Sequence, residues 1–377
     1  GPTNVPDRIQ SALHIAMEDH RSSAFPALWQ GLAPELRRLF GTAPGRPFVF
    51  PGTGTGGWEA ALTNVLSPGD RVLAPRFGQF SHLWIELARQ LGFEVEVLEC
   101  EWGVGAPVDR IEAALAADRA HAIKALLIVH NETATGVTSD IAAVHRAQLA
   151  TRHPSLLLVD SVSGIGSLDF RMDDWGVDVA VTGSQKGLML PAGLAVLAAS
   201  PRALEAEKGA ASRRSYFDFS AQAAANDQGY FPYTPSAPML RALRESLRML
   251  LDEEGMPAVI ARHHRLAEGV RRAVAAWGLA LCAREPRWHS DTVSTVLMPA
   301  GVDARAVIAR AFDRYDPSLG GGLGPLAGKA FRIGHLGDLN EVMLLGALAG
   351  VEMALVDCGV KLTPGSGIAA AEHHWRV

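Results

Sequence analysis

Cysteine is scarce in this sequence, and neither one sign of charge nor apolar residues dominate any long stretch. The 377 residues include only three cysteines, which form no CxxC pair and suggest neither a zinc site nor a disulfide framework. No apolar run approaches the roughly 20 residues of a membrane span. The sequence has 35 Lys and Arg against 40 Asp and Glu, a net charge of −5, which argues against a nucleic-acid partner. We expect a cytoplasmic enzyme with no metal site and no membrane association.

Strand-like and helix-like segments alternate along the first part of the chain, which favours a mainly parallel α/β sheet covered by helices on both faces. A long helix is predicted from Pro238 to Leu251, followed by a smaller α+β region. The predicted division is an N-terminal arm at 1–20, a large cofactor-binding domain at 21–252 and a small C-terminal domain at 253–377.

An acidic residue and a lysine follow two neighbouring predicted strands. Asp160 ends the apolar segment 155–160, and Lys186 follows segment 177–182 through a polar turn. Pyridoxal phosphate chemistry needs a lysine for the aldehyde and an acid that keeps the pyridine nitrogen protonated. Sites in such sheets lie beyond the carboxyl ends of the strands, where these two residues are placed. Taken singly, each is better explained without chemistry, as a capping Asp and a surface Lys.

A glycine-rich loop with the sequence GTGTGG occupies 52–57, before a helix predicted at 58–66. Backbone N–H groups at a helix start, with hydroxyls beside them, form a phosphate-binding cup. The loop also matches the dinucleotide fingerprint GxGxxG, which requires an acid at the end of the next strand. That strand ends at Arg76 without an acid, although an arginine suits a 2′-phosphate. A plain glycine turn explains the loop equally well.

Three other positions are candidates for contacts with a cofactor or substrate. Thr133 lies in the polar run HNETATG directly after a predicted strand, where an ordinary turn is the simpler explanation. Arg332 stands between apolar neighbours and suits a substrate carboxylate or, at even odds, a structural ion pair. Phe80 could stack on a planar ring, although an aromatic residue there is more often part of the core. The histidines are scattered and do not suggest a metal site.

Five motifs in order resemble the class V aminotransferases of fold type I, specifically the serine–glyoxylate and alanine–glyoxylate group. They are Thr53-Gly54-Thr55, HNETATG at 130–136, LLLVDSVSGIGSLDFRMDDWGVDVAVTGSQKG at 156–187, YTP at 233–235 and KAFRIGHLG at 329–337. Each motif alone is weak, but the ordered set is specific and spans essentially the whole chain. The resemblance implies a fold type I pyridoxal-phosphate-dependent transferase, with a large domain built on a mainly parallel sheet and a smaller C-terminal α+β domain.

The resemblance also implies roles for individual residues. Lys186 would form the Schiff base and shuttle the substrate proton, Asp160 would pair with the pyridine nitrogen, and Arg332 would bind the substrate carboxylate. The remaining cofactor-binding positions would be Thr53, Gly54 and Thr55 at the phosphate, Phe80 on the ring, Thr133 at the ring hydroxyl and the substrate, Gln185 beside the ring, and Thr234 at the phosphate of the partner subunit. The chain would therefore be a homodimer with active sites at its interface. In this family a tyrosine often lies three residues before the position of Thr234, but here that residue is Phe231.

The reaction implied by the resemblance is transfer of the amino group of L-serine to glyoxylate, giving glycine and a 2-oxo acid such as hydroxypyruvate. L-Alanine and L-aspartate are alternative donors. A desulfurase or lyase of the same fold would need a reactive cysteine on a mobile loop, and Cys282 and Cys358 lie in segments expected to be packed. A further alternative is an NADP-binding oxidoreductase, which would explain the GxGxxG match. Another is a non-enzymatic binding module, which is the alternative least consistent with the set Asp160, Lys186 and Arg332.

Overall fold

The computed structural model describes residues 2–376. The α-helices are α1 (Asp7–Leu13), α2 (Pro26–Phe40), α3 (Gly54–Val65), α4 (Gln79–Gln90), α5 (Val108–Ala117), α6 (Ile141–Thr151), α7 (Pro201–Glu207), α8 (Phe219–Asp227), α9 (Ala237–Arg248), α10 (Met256–Ala276), α11 (Ala304–Tyr315), α12 (Glu341–Asp357) and α13 (Ser366–Trp375). The strands are β1 (Arg46–Gly52), β2 (Arg71–Arg76), β3 (Glu94–Glu99), β4 (Ile123–Val129), β5 (Asn131–Glu132), β6 (Val137–Thr138), β7 (Leu156–Asp160), β8 (Val179–Gly183), β9 (Gly193–Ala199), β10 (Ala280–Leu281), β11 (Val293–Leu297), β12 (Gly320–Gly321) and β13 (Ala330–Gly334).

The large sheet has seven strands in the order β1-β9-β8-β7-β4-β2-β3. Strands β8, β7, β4, β2 and β3 run parallel, whereas β9 is antiparallel to both of its neighbours. The apolar sequences of β7 and β8 are buried along their whole length, as expected for strands covered on both faces. The mainly parallel sheet is confirmed. The ends of β4, β7 and β8 meet at one edge, where the predicted site residues follow.

Helix α3 begins four residues before the predicted start at Trp58, so the glycine loop is the first turn of the helix rather than a separate turn. Sequence reasoning missed this turn because glycine is a weak helix former. Packing explains the glycine at 57, since a Cβ atom there would lie 2.5 Å from Cγ1 of Val181 in β8. The absent side chain lets the start of α3 lie directly on the sheet.

The predicted helix 238–251 is α9 followed by a π-helical turn at Met249–Glu254. Gly255 ends this turn with φ +81°, a conformation that glycine adopts without steric cost. The change from α to π geometry could not be inferred from the apolar spacing, which continues without interruption through Leu250.

The C-terminal part forms a smaller α+β unit with its own core. Its four-stranded antiparallel sheet has the order β10-β11-β13-β12, and α10, α11, α12 and α13 pack around it. Leu266, Val296, Phe331 and Leu348 belong to this second core. The expected smaller unit is thus confirmed.

No helix within residues 2–376 combines the length and the apolar character that a membrane crossing requires.

Candidate active site

Asp160 and Lys186 lie at the ends of adjacent parallel strands, because Asp160 closes β7 and Lys186 is in the turn after β8. Asp160 is 4% exposed, and its Oδ1 accepts a hydrogen bond of 2.8 Å from the N–H of Val162. Burial raises the pKa of Asp160 to about 7, against the opposing N–H of Val162 and charge of Lys186. Burial also lowers the pKa of Lys186. Asp160 does cap a turn, but Lys186 is half-buried rather than a surface lysine.

The start of α3 forms an open cup at the same edge of the sheet. Thr53 is the N-cap residue, and the first helical hydrogen bond runs from the N–H of Gly57 to the carbonyl of Thr53 at 3.0 Å. The N–H groups of residues 54–56 therefore have no acceptor within the helix. Thr53 and Thr55 are exposed beside them. A Cβ atom on Gly54 would lie 2.7 Å from Val162, so only glycine fits against the segment that follows Asp160.

Thr133 is tied to the segment after Asp160 by buried hydroxyl groups. Its Oγ1 lies 2.7 Å from Oγ of Ser163, and the same Ser163 oxygen accepts a hydrogen bond of 2.8 Å from Asn131 Nδ2. Asn131 Nδ2 also donates to Oγ1 of Thr292, at 2.9 Å, which joins the C-terminal unit to the site. Sequence reasoning missed Ser163 and Thr292. The serines of the DSVS segment at 160–163 could have indicated Ser163. No local sequence pattern indicated Thr292.

Glu132 is a second buried carboxylate at this edge, to which sequence analysis gave no role. It is 0% exposed and accepts hydrogen bonds from the backbone N–H groups of Phe80, Ser81 and Ala134. Burial raises the pKa of Glu132, against these amide groups. A Cβ atom on Gly78 would lie 2.2 Å from the Glu132 side chain. Glu132 thereby holds the first turn of α4, which carries Phe80, against the loop that carries Thr133.

Arg332 extends from β13 of the small sheet towards this loop. Its Nε donates to the carbonyl of Gly321 at 2.9 Å, and its Nη1 donates to the carbonyl of Thr133 at 3.4 Å. Within the described chain no carboxylate lies within ion-pair distance of Arg332, so the structural ion pair considered from the sequence is not formed. Burial lowers the pKa of Arg332, and its charge in turn lowers that of Lys186.

Gln185 and Thr234 complete the predicted set in different ways. The Oε1 atom of Gln185 is buried and has no hydrogen-bond donor among residues 2–376. Thr234 is exposed on the loop between α8 and α9 and makes no hydrogen bond to the other predicted residues in the described chain. Phe231, where a tyrosine was expected, packs edge-on against Phe25 and Trp29. Phe231 has no hydroxyl to offer a phosphate, and the role of Thr234 at the phosphate stays a prediction.

The cysteines lack the properties of a desulfurase nucleophile. Burial raises the pKa of Cys282 to about 11 and also raises those of Cys100 and Cys358. A thiolate is the reactive form of cysteine, and none of these thiols is poised to ionise. The desulfurase alternative therefore has no support in the structure.

The residues at this edge fit the pyridoxal phosphate expected from the sequence. The amide groups at the start of α3 suit a phosphate group. The raised pKa of Asp160 calls for a cationic partner such as a protonated pyridine nitrogen, and Lys186 lies close enough for its charge to act on that carboxylate. The unpartnered Oε1 of Gln185 needs a donor that the described chain does not supply. Within residues 2–376, the strand after α3 ends at Arg76 and carries no acid at the position where a dinucleotide site would need one.

The comparisons with known proteins point the same way. The family model for class-V aminotransferases matches residues 11–310. The chain is 56% identical to a serine–glyoxylate aminotransferase of Methylorubrum extorquens, with 100% of this chain and 94% of the relative covered. It is 50% identical to an L-aspartate–glyoxylate aminotransferase of Paracoccus denitrificans, with 100% and 95% covered. Its fold matches the crystal structure of ureidoglycine–glyoxylate aminotransferase from Bacillus subtilis with a TM-score of 0.92 at 29% identity, covering 100% and 97% of the two chains. The chain belongs to the class-V aminotransferases, which are pyridoxal-phosphate enzymes.

Proposed function

We propose that this aminotransferase transfers the amino group of L-serine to glyoxylate, yielding hydroxypyruvate and glycine. The observation that carries the proposal is the convergence of Asp160, Lys186 and Arg332 at one edge of the sheet, each with a pKa shifted by burial. The serine–glyoxylate relative supports serine as the donor. The aspartate–glyoxylate relative supports L-aspartate as a second candidate, and L-alanine is the third donor to test.

The cofactor is held by groups from several elements in this proposal. Bound pyridoxal phosphate supplies an electron sink that makes the Cα–H bond of the amino acid acidic. Thr53, Gly54 and Thr55 would hold its phosphate, and Asp160 would pair with the ring nitrogen. Phe80 and Gln185 would contact the ring, and Thr133 would contact the ring hydroxyl and the substrate.

Lys186 carries the proton in this proposal. Burial and the nearby charge of Arg332 lower the pKa of its amine, which favours the neutral form that a general base requires. Its amine would accept the proton released from Cα of the amino acid and would hold that proton until it is given back later in the transfer. Arg332 binds the carboxylate that both substrates share, with the N–H groups that its two carbonyl acceptors leave free.

We also propose a homodimer in which Thr234 reaches the phosphate bound by the partner subunit. The exposed position of Thr234 and the stacked, half-exposed rings of Tyr216 and Tyr233 beside it support this arrangement. The arm at 1–20, the large domain at 21–252 and the small domain at 253–377 remain our proposed division. Two hydrophobic cores support a larger and a smaller unit, although the larger core also includes Ile9, Val259 and Ala283. A cytoplasmic location is proposed from the three free cysteines.

The test is a set of half-reactions with the cofactor-loaded protein. We expect L-serine to convert the pyridoxal absorbance to that of the pyridoxamine form, and glyoxylate to reverse the change. L-Alanine and L-aspartate, used in turn, rank the donors. Lys186→Ala should lose the chromophore that borohydride reduces, whereas Lys208→Ala, at an exposed lysine that pairs with Glu205, should keep it. Full turnover by Lys186→Ala, or no conversion by any donor, would reject the proposed function.

A further inference from the structure

The short strand β12 runs along the side chain of Arg332. Gly320 is the register partner of Arg332 in the β12–β13 pair. A Cβ atom built on Gly320 would lie 3.1 Å from Nε of Arg332, and 3.2 Å from both its Cβ and its Cζ. The glycine therefore leaves room for the arginine along its full length. Because Gly320 is not among the glycines with positive φ, the requirement at this position is for space rather than for a special backbone conformation.

The same strand supplies an anchor for the guanidinium group. Nε of Arg332 donates to the carbonyl of Gly321 at 2.9 Å, and Nη1 donates to the carbonyl of Thr133 at 3.4 Å. Nη2 has no hydrogen-bond acceptor anywhere in residues 2–376. A planar fork held at two of its nitrogens keeps a fixed direction for the remaining N–H groups.

We propose that Gly320 is a positioning residue, which sets where Arg332 presents its free N–H groups to the α-carboxylate of both substrates. The inference rests on the proposed role of Arg332 as the carboxylate receptor. A side chain at 320 requires Arg332 to shift by a few tenths of an ångström, and one of the crowded atoms is Arg332 Cβ, at the root of the side chain, which cannot swing away as the tip could.

The proposal predicts a specific pattern across substrates. L-Serine and glyoxylate both carry the carboxylate, so displacement of Arg332 weakens both half-reactions by a similar factor. 2-Aminoethanol is serine without its carboxylate and gains nothing from Arg332. Its slow reaction with the cofactor therefore reports whether the rest of the site is intact.

The experiment compares Gly320→Ala with Gly346→Ala in the cofactor-loaded protein. Gly346, in α12, is the control, because a Cβ atom there would meet nothing within 4 Å and its φ is not positive. We expect Gly320→Ala to raise the KM for L-serine and glyoxylate by roughly tenfold each, with a smaller change in kcat. Gly346→Ala should stay within about twofold of wild type, and 2-aminoethanol should react equally with all three proteins.

Arg332→Gln separates failure of the inference from failure of the proposed function. If this variant reacts with L-serine as well as wild type does, Arg332 is not the carboxylate receptor, and the inference falls together with that part of the proposed function, whereas the reaction itself is still judged by Lys186→Ala and the donor series. If Arg332→Gln loses serine selectively over 2-aminoethanol while Gly320→Ala matches Gly346→Ala, only the positioning role is overturned. It is also overturned if Gly320→Ala loses both amines to the same extent, which indicates general damage.

Discussion

Glu352 in the C-terminal unit and Gln185 at the edge of the large sheet differ in whether their buried oxygen atoms have hydrogen-bond donors within the chain. In the C-terminal unit, the Glu352 carboxylate accepts hydrogen bonds from Trp277 Nε1 at 2.7 Å, from the N–H of Gly367 at 2.9 Å and from the N–H of Gly365. At the sheet edge, Gln185 Oε1 has no donor in the described chain, and Asp160 is buried with a raised pKa. The Glu352 carboxylate is thus satisfied within the chain, whereas Gln185 Oε1 needs a donor that residues 2–376 do not supply.

Unpartnered buried atoms alone do not identify a site. Glu35 Oε2 and Trp84 Nε1 also have no partner in the described chain, and burial raises the pKa of Glu35 as well. What marks the active site is that Asp160, Gln185 and Lys186 lie together beyond the carboxyl ends of the adjacent parallel strands β7 and β8. Burial of Glu352 with its hydrogen-bond donors stabilises the fold. Burial of Asp160 and of Gln185 Oε1 destabilises the cofactor-free fold but provides groups that can bind a ligand.

The largest expected effect follows from replacing Asp160 with Asn. Without the carboxylate the ring nitrogen loses its ionic partner, so we expect transamination of L-serine to fall by roughly 1,000-fold or more. Steady-state rates with saturating cofactor measure this loss. The exposed Asp174→Asn is the matched control and should retain activity.

Asp160→Asn should have the opposite effect on the stability of the cofactor-free protein. A carboxyl whose folded pKa is about 7, above its unfolded value of about 4, stabilises the fold only at low pH, and that contribution is lost as the pH rises through 7. The thermal midpoint of Asp160→Asn should therefore exceed that of wild type more at pH 8 than at pH 5. An equal difference at both pH values would show that the carboxyl is not held in an unfavourable environment.

Glu352→Ala tests whether a buried carboxylate of the C-terminal unit contributes to the stability of the fold. It leaves Trp277 Nε1 and the N–H of Gly367 buried without an acceptor, and each such group costs about 1–3 kcal/mol. We expect the free energy of unfolding to fall by about 3 kcal/mol in total, measured by urea denaturation of the loaded protein. Glu372→Ala, in α13 but at an exposed ion pair with Arg376, should cost less than about 1 kcal/mol. Similar losses in the two variants would contradict the prediction.

Site residues that directly follow a strand could be predicted from the sequence. Asp160 and Lys186 follow continuous apolar segments, and the parallel arrangement of such segments brings their carboxyl ends to one edge. Arg332 was recognisable as a charge between apolar neighbours. These positions required only the order of the strands and the chemistry of the side chains.

Contacts between distant parts of the chain could not be predicted. Glu132 reads as one more polar residue in a turn, and its role as an acceptor for the first turn of α4 exists only because the fold brings Gly78 against it. The glycines at 320 and 321 likewise read as a flexible run until the β12–β13 register places them beside Arg332. In both cases the partners are separated in sequence, so no local pattern records the contact.

A smaller effect is expected from acid, through two histidines of the C-terminal unit. Burial lowers the pKa of His335 to about 3 and that of His263 to about 4. Their ring nitrogens are partnered in the neutral form: His335 with Ser294 Oγ and the Asp291 carbonyl, and His263 with the Val259 carbonyl and the Gly337 N–H. Because the folded pKa is lowered, the stability they contribute is complete above about pH 6.5 and is lost as the pH falls towards 4.

We expect this acid loss to be about 2 kcal/mol between pH 7 and pH 4.5 for each buried histidine. The measurement is urea denaturation at the two pH values. His335→Gln cannot take up the proton, so its free energy of unfolding should fall less with acid than that of wild type. His373→Gln, at an exposed histidine of α13, should show the wild-type dependence. A wild-type slope in His335→Gln would assign the acid loss to other groups.

The smallest expected effect on stability comes from comparing two glutamines, the buried Gln222 and the half-buried Gln185. Gln222 is 2% exposed and donates from Nε2 to the Val49 carbonyl and to Asn226 Oδ1, whereas Gln185 Oε1 has no donor in the described chain. Gln222→Leu should therefore lower the stability of the cofactor-free protein by about 1 kcal/mol, and Gln185→Leu should leave it unchanged or slightly higher. Gln185→Leu should instead weaken retention of pyridoxal phosphate by up to roughly tenfold, measured as its dissociation constant. If Gln185→Leu destabilised the cofactor-free protein as much as Gln222→Leu does, the buried oxygen would be a structural group and not one reserved for a ligand.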